Sequence, residues 1–219
     1  MKAHREIQTE MKSWSSFEGE LVIRCYLSMS LKLSVTVTPL DPTYINRSRA
    51  LCRTHAPLDY DSRAKHTSRG SWDTLVERST CDELLLCDDS GSPLESNNAN
   101  IWSLELKEPL ELIEERLKGF SSGMMRGLVW KTPPLNGQIL PGITRALLLK
   151  YFRSEGALVY EETLPSLKDK SLDRTEIAFY LSSTLKSLSW VSAIDHRHFN
   201  ELRINPAIFS AVEHYLSQC

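Results

Sequence analysis

Positive charge is not in excess in this sequence of 219 residues, because 26 Lys and Arg stand against 28 Asp and Glu and give a formal net charge of −2. A protein that binds nucleic acid through its phosphates needs a basic excess, so no nucleic-acid partner is expected. Long apolar runs are also missing, since Arg24 and Lys32 interrupt residues 21–33, and the polar N-terminus lacks the apolar core of a signal peptide. We therefore expect no membrane association and a cytoplasmic location.

Cysteines are few, and their spacing suggests no pairing. Their number is odd and none belongs to a C-x-x-C motif; they are Cys25, Cys52, Cys81, Cys87 and Cys219. We predict neither a disulfide framework nor a zinc site, and a reducing cytoplasm is the simple interpretation. His196 and His198 lack a third ligand, so no metal site is expected.

The remaining composition, 41% hydrophobic and 25% charged residues, is that of an ordinary globular protein with a buried core. We predict a short helix over residues 3–14, then a β-hairpin of strands 21–27 and 31–38. Residues 41–60, rich in Arg, Pro and Asp, are interpreted as a linker region. Further strands are predicted at 83–87, 101–106, 128–131, 158–162, 176–181 and 190–194, and helices at 109–119, 143–154 and 207–217. This mixed order predicts an α+β fold.

Two segments carry longer motifs. Residues 82–102 read DELLLCDDSGSPLESNNANIW, and residues 130–152 read WKTPPLNGQILPGITRALLLKYF. They resemble the class IV aminotransferase family, the fold type IV pyridoxal-phosphate enzymes, over roughly residues 20–195. The resemblance implies a cofactor-binding C-terminal domain, a mixed sheet or pseudo-barrel with helices, over residues 61–219. It also implies a linker at 55–60, a partial N-terminal α/β subdomain over 1–54, and a homodimer.

The resemblance assigns roles around a pyridoxal 5′-phosphate ring. Lys65 stands where the family has its Schiff-base lysine, which must be partly desolvated in order to lose its proton near neutral pH. Glu95 stands where the family places a carboxylate against the pyridine nitrogen, which keeps the ring protonated and able to accept electrons. Asn100 matches a family asparagine that we interpret as mainly structural.

The same resemblance places the cofactor phosphate at the start of the helix after Pro141. Gly142 matches the glycine that lets the backbone turn sharply into this helix, and Ile143 and Thr144 open it with N–H groups that suit an anion. Thr184 matches a family position that also reaches the phosphate. Its neighbour Ser183 is a second candidate.

One family feature has no assigned residue. Family members carry an N-terminal arginine that clamps the phosphate, and here Arg47, Arg49 and Arg53 are the candidates without a motif to choose among them. An incomplete N-terminal domain also leaves open that the chain is a non-catalytic relative that only binds a partner.

The resemblance leaves two enzymatic activities open. The turn at Ser183–Lys186 is more similar to the N-S-L-R turn of the 4-amino-4-deoxychorismate lyases than to the S-G-T-A-A-E of branched-chain aminotransferases. This favours a lyase that releases pyruvate and 4-aminobenzoate from an aminodeoxychorismate-like substrate. The alternative is an aminotransferase for a small amino acid of the branched-chain or D-amino-acid type.

Overall fold

The computed structural model describes residues 12, 21–27, 33–39, 48–54, 70–77, 79–119, 122–170, 172 and 177–219. The chain divides into two compact units, Met1–Asn46 and Arg47–Cys219. In the first unit, strands β1 (Leu21–Leu27) and β2 (Leu33–Pro39) form an antiparallel hairpin. This confirms the predicted hairpin, while the predicted helix over 3–14 lies outside the described residues except for residue 12.

The second unit contains the remaining elements. In chain order they are β3 (Ser48–Thr54), α1 (Gly70–Glu77), β4 (Glu83–Cys87), β5 (Pro93–Ser96), β6 (Asn100–Leu106), α2 (Leu110–Lys118), β7 (Leu128–Thr132), α3 (Ile143–Ser154), β8 (Leu158–Glu161), β9 (Ile177–Ser183), β10 (Ser187–Ile194), β11 (Arg197–His198) and α4 (Asn205–Leu216). Among these described helices, none is long and apolar enough for a membrane span.

Nine strands of the described second unit form one mixed sheet. Its order is β11-β10-β3-β4-β5-β6-β7-β8, and β9 pairs with both β6 and β10. This double pairing joins β10, β3, β4, β5, β6 and β9 into a closed ring. The β10–β3, β3–β4 and β7–β8 pairs are parallel and the other pairs are antiparallel. The predicted mixed pseudo-barrel with helices is therefore confirmed.

Strand β3 corrects the prediction of a linker over residues 41–60. It lies between β10 and β4 in the sheet of the second unit, although its sequence SRALCRT was placed in the N-terminal domain. Its only long aliphatic side chain, Leu51, is fully buried, and the arginines on either side masked the strand pattern in the sequence.

A disulfide between Cys52 and Cys81 contradicts the prediction that the cysteines are unpaired. Cys52 lies on β3, and Cys81 lies two residues before β4, the strand that runs parallel to β3. Their Cα atoms are 5.9 Å apart, within the range that a disulfide spans. Because the pattern of residues 48–54 does not indicate a strand, nothing in the sequence suggests that these cysteines lie together. The pair also removes the cysteine argument for a reducing compartment.

Two apolar clusters cover opposite faces of the sheet. Ile101 and Phe179 belong to one, whereas their chain neighbours Trp102 and Tyr180 belong to the other, as the two-residue period of strands requires. The second cluster is completed by helices α2, α3 and α4, and in it Phe152 of α3 stacks on a tryptophan of β7 at 4.4 Å between ring centroids. Packing in this cluster thus fixes the backbone of α3, whose start carries the candidate site.

Candidate active site

Glu95 is a buried carboxylate on β5, with 3% of its surface exposed. Its Oε2 accepts the backbone N–H of Leu140 at 2.9 Å and lies 3.4 Å from the side-chain Nδ2 of Asn100. The carboxylate is therefore held from two sides, by the loop before α3 and by the neighbouring strand β6. A buried carboxylate held in this way has a fixed position and direction.

Asn100 joins the same loop to the sheet. Its Nδ2 also donates to the backbone oxygen of Leu140 at 3.0 Å, and its backbone pairs with Glu95 in the sheet register. The predicted structural role of Asn100 agrees with these contacts, since one amide orients the carboxylate and holds the loop.

Gly142 is required for a reason different from the predicted one. Its φ of −65° and ψ of 134° suit any residue, so no sharp backbone turn demands glycine here. A Cβ at this position would instead lie 2.1 Å from Oδ1 of Asn100. Glycine is thus needed because the loop passes directly over the asparagine that holds Glu95.

The start of α3 presents backbone N–H groups without acceptors inside the helix. Gly142 is the N-cap, and among the described residues no side chain caps it; the first intrahelical bond runs from Ala146 N to Gly142 O at 3.1 Å. The N–H groups of Ile143 and Thr144 therefore precede the hydrogen-bonded part of the helix. Such a helix start carries partial positive charge and suits an anion.

Thr144 brings the helix start to the turn between β9 and β10. Its hydroxyl lies 3.4 Å from the hydroxyl of Thr184 in that turn. The hydroxyl of Ser183 accepts the backbone N–H of Lys186 at 3.3 Å inside the turn. The structure thus brings Thr144 and Thr184 together, whereas the Ser183 hydroxyl forms its hydrogen bond within its own turn.

Together these contacts connect most of the predicted residues. Leu140 binds Glu95, Gly142 packs on Asn100, and two residues later Thr144 meets Thr184. The sheet register agrees, because Asn100 on β6 lies opposite Ser182 on β9. A single region therefore contains a fixed carboxylate, an open helix start and two hydroxyls.

Lys65 and Arg47 lie outside the described residues. Of the other two arginine candidates, Arg53 forms an ion pair with Asp195, directly after the end of β10 that is remote from the Thr184 turn. Arg49 is buried on β3, where its backbone oxygen accepts the Ser192 hydroxyl at 3.1 Å. The role of a phosphate-clamping arginine stays a prediction for all three.

Sequence reasoning missed the role of Arg145, which is 2% exposed. One guanidinium nitrogen donates to the Pro133 oxygen at 2.8 Å and to Oε2 of Glu161 at 2.9 Å, and Nε lies 3.4 Å from the Thr132 hydroxyl. Its hydrogen bond to Glu161 holds the pKa of that carboxyl below its ordinary value. Arg145 belongs to the motif at residues 130–152, but only the fold shows that its carboxylate partner is Glu161 on β8.

Comparison with known proteins relates this chain to a protein family. The profile described as "Amino-transferase class IV" matches residues 9–193. No curated protein sequence gives a significant match. Among solved structures, a hypothetical aminotransferase from Mycobacterium tuberculosis, in its alpha-ketoglutarate- and PMP-bound form, has a TM-score of 0.75 at 16% identity and covers 99% of this chain and 76% of its own.

Two further solved structures agree in fold. A fold IV transaminase from Curtobacterium pusillum has a TM-score of 0.70 at 18% identity, with 98% of this chain and 71% of its own covered. A branched-chain aminotransferase from Thermoproteus uzoniensis with norvaline has a TM-score of 0.62 at 17% identity, covering 98% and 70%. At these identities the likeness concerns the fold.

Proposed function

We propose that this chain, which belongs to the class IV aminotransferase family, is a pyridoxal 5′-phosphate enzyme that transfers the amino group of a small amino acid to a 2-oxo acid. The observation that carries the proposal is the continuous set of contacts from the Glu95 carboxylate through Leu140 to the start of α3 and Thr184. It offers a carboxylate for one end of the cofactor and anion-binding groups for the other.

The residues present fit this cofactor. Glu95 is a buried carboxylate, which suits a protonated ring nitrogen, and the open start of α3 with Thr144 and Thr184 suits a phosphate. The close packing of Gly142 on Asn100 keeps the helix start next to the asparagine that contacts Glu95. When bound, pyridoxal phosphate supplies an aldehyde for the substrate amine and a ring that accepts electrons from the α-carbon.

Glu95 would stabilise positive charge at the ring nitrogen of the bound cofactor. Its Oε2 is occupied by the Leu140 N–H and faces Asn100, so the side chain is fixed before any ligand arrives. A fixed charge in a buried site interacts more strongly than a solvated one, and it need not reorganise during the reaction. Glu95→Gln should therefore slow proton removal from the substrate more than it weakens substrate binding.

Lys65 is proposed as the residue that bonds to the cofactor and then moves the proton of the substrate α-carbon. The proposal rests on the sequence resemblance around residues 63–66, since Lys65 lies outside the described residues. An amine with this task must be partly desolvated, because a protonated lysine can neither add to an aldehyde nor accept a proton.

We place the aminotransferase first because the family model that matches residues 9–193 is described as class IV amino-transferase. The lyase is the second candidate, and the turn sequence Ser183–Lys186 favours it. Both activities use the same proton removal by Lys65 and the same carboxylate at Glu95. They differ in the fate of the substrate, because a lyase expels a leaving group and releases pyruvate, whereas an aminotransferase releases a 2-oxo acid and passes the amino group to an acceptor.

The test combines binding with product analysis. The purified chain is incubated with pyridoxal phosphate, its visible spectrum is recorded, and the complex is reduced with borohydride and digested to locate the modified lysine by mass spectrometry. We expect modification at Lys65 and loss of the visible absorbance band in Lys65→Ala. With a small amino acid as donor, more than one equivalent of 2-oxo acid per chain should form only when an acceptor is present. Release of pyruvate with 4-aminobenzoate would favour the lyase, and absence of any specific adduct would contradict both.

We also propose that the active form is a homodimer. Ile143 at the start of α3 is 76% exposed and Leu185 in the adjacent turn is 42% exposed, so apolar side chains border the site on the surface of the described chain. Light scattering should give twice the chain mass, and a monomer that turns over at full rate would contradict this. The cytoplasmic location stays a prediction.

A further inference from the structure

A buried ion pair connects the proposed phosphate-binding turn to strand β4. The ammonium group of Lys186 contacts Oε1 of Glu83, and their side chains are 6% and 1% exposed. Lys186 is the last residue of the β9–β10 turn, while Glu83 is the first residue of β4. The pair thus joins two segments that are 103 residues apart in the chain.

On the Glu83 side, the contacts continue to the strand that carries Glu95. Ser96 donates its hydroxyl to Oε2 of Glu83 at 2.6 Å and accepts the backbone N–H of Ala99 at 2.9 Å. Ser96 follows Glu95 directly, and the turn that it stabilises ends at Asn100. Glu83 therefore anchors the β5–β6 turn that connects Glu95 to Asn100.

On the Lys186 side, the contacts reach Thr184. The backbone N–H of Lys186 donates to the oxygen and to the hydroxyl of Ser183, both at 3.3 Å, which closes the turn around Thr184. The next residue, Ser187, has a φ of +52°, a conformation that non-glycine residues adopt rarely. The Thr184 turn therefore has a specific shape, and its one buried charged group is tied to Glu83.

The energetics favour a role in geometry. A buried ion pair contributes little net stability, because the cost of removing both charges from water offsets their attraction, and an apolar pair of similar size is often as stable. An ion pair does, however, fix the relative position of its two groups when further hydrogen bonds hold them, as Ser96 holds Glu83 here.

We infer that Lys186 and Glu83 are positioning residues that hold the Thr184 turn at a set distance from Glu95, so that the phosphate and ring ends of the cofactor are bound together. The inference rests on the proposed function. Neither residue would touch the cofactor; each would act through the turn that it anchors. Removal of the pair should weaken binding of the phosphate, while the Glu95 carboxylate keeps its position.

The test uses pyridoxamine 5′-phosphate and pyridoxamine, which lack the aldehyde and therefore bind without reacting with Lys65 or any other lysine. The ratio of their dissociation constants, measured by equilibrium dialysis, reports the contribution of the phosphate alone. Because removal of one charge can unfold the chain, the principal variant is the double substitution E83Q/K186M, which leaves no buried unpaired charge. Urea unfolding shows whether this variant is folded.

The matched control is E105Q/K131M. Lys131 and Glu105 form another ion pair in the same sheet, at 2.8 Å, on strands β7 and β6. We expect E83Q/K186M to lower the ratio of the dissociation constant of pyridoxamine to that of pyridoxamine 5′-phosphate. The expected decrease is about 10- to 100-fold, the usual loss when a group that orients a direct ligand is removed. The control should keep the wild-type ratio.

Each outcome decides the inference. A folded E83Q/K186M variant with the wild-type ratio overturns it, and so does an equal loss of affinity for both ligands, which is what a merely structural role produces. A wild-type chain that binds neither ligand overturns the proposed function, and the inference with it. A lower ratio in E83Q/K186M alone supports the positioning role.

Discussion

Gly142→Ala tests the packing that brings the loop before α3 onto the sheet. A Cβ at this position would lie 2.1 Å from Oδ1 of Asn100, much closer than two atoms without a bond can approach. The backbone angles at Gly142 are ordinary for alanine, so the clash carries the effect and backbone strain does not. Asn100 must therefore move, or the loop must lift from β6.

The magnitude follows from the contacts that Asn100 loses when it moves. Its Nδ2 would leave the Leu140 oxygen at 3.0 Å and Oε2 of Glu95 at 3.4 Å. Buried groups that lose their partners cost about 1–3 kcal/mol, and alanine is worse than glycine as an N-cap by about 1 kcal/mol. We expect Gly142→Ala to lower the free energy of unfolding by about 2–4 kcal/mol and to weaken cofactor binding.

A double-mutant cycle with Asn100→Ala checks the reasoning. The free energy of unfolding in urea is measured for both single variants and for the double variant, all without cofactor. Removing the asparagine side chain removes the clash, so the double variant should be only about 1 kcal/mol less stable than Asn100→Ala alone, which is the cap cost. Losses that simply add would refute the proposed contact between Gly142 and Asn100.

Other predictions concern stability. Glu161→Gln should lower the free energy of unfolding by about 1–2 kcal/mol at neutral pH, a buried-pair loss discounted because Glu161 is 35% exposed. Because its partner Arg145 holds the pKa of Glu161 below the ordinary 4.5, this stability is present above that pH and is lost as the pH falls through the folded pKa, so urea curves of wild type and variant should converge in acid. Reduction of the Cys52–Cys81 disulfide, whose sequence separation is 29, should cost about 3–4 kcal/mol, and dithiothreitol should leave the double alanine variant unchanged. Phe152→Ala should cost about 3–5 kcal/mol of unfolding free energy in urea, because Phe152 is fully buried and stacked; a loss below about 1 kcal/mol would contradict the packing of α3.

Local sequence patterns predict the elements whose burial is evident from neighbouring residues in the chain. The run 83–87 is predicted as a strand because residues 84–87 are all apolar, and all five of its residues are buried. Strand β3 has only Leu51 as a large aliphatic residue, so its place between β4 and β10 depends on partners far away in the chain. The family resemblance implies a pseudo-barrel, but its closure by β9 does not follow from local patterns, because it depends on pairing with two strands at once.

The same difference separates the parts of the site. Motifs whose members are neighbours in the chain predict Gly142, the start of α3 and Glu95. The Lys186–Glu83 pair, in contrast, joins segments that are 103 residues apart. Gly142 shows a third case, because the residue was identified correctly and its reason was not. The sequence suggested a turn, but the structure has an ordinary backbone and a close contact with Asn100.

The segment from Gly142 to Arg145 combines two separate requirements. Gly142 and Thr144 face the proposed cofactor region, through the contacts with Asn100 and Thr184. Arg145 points the other way and binds the Pro133 oxygen and Glu161. An inactive relative of this fold would still need the arginine to join α3 to the sheet and the glycine to pack on Asn100, but it would have no use for the threonine beside Thr184. The threonine beside Thr184 is therefore the residue of this segment that argues for cofactor binding, which neither the arginine nor the glycine does.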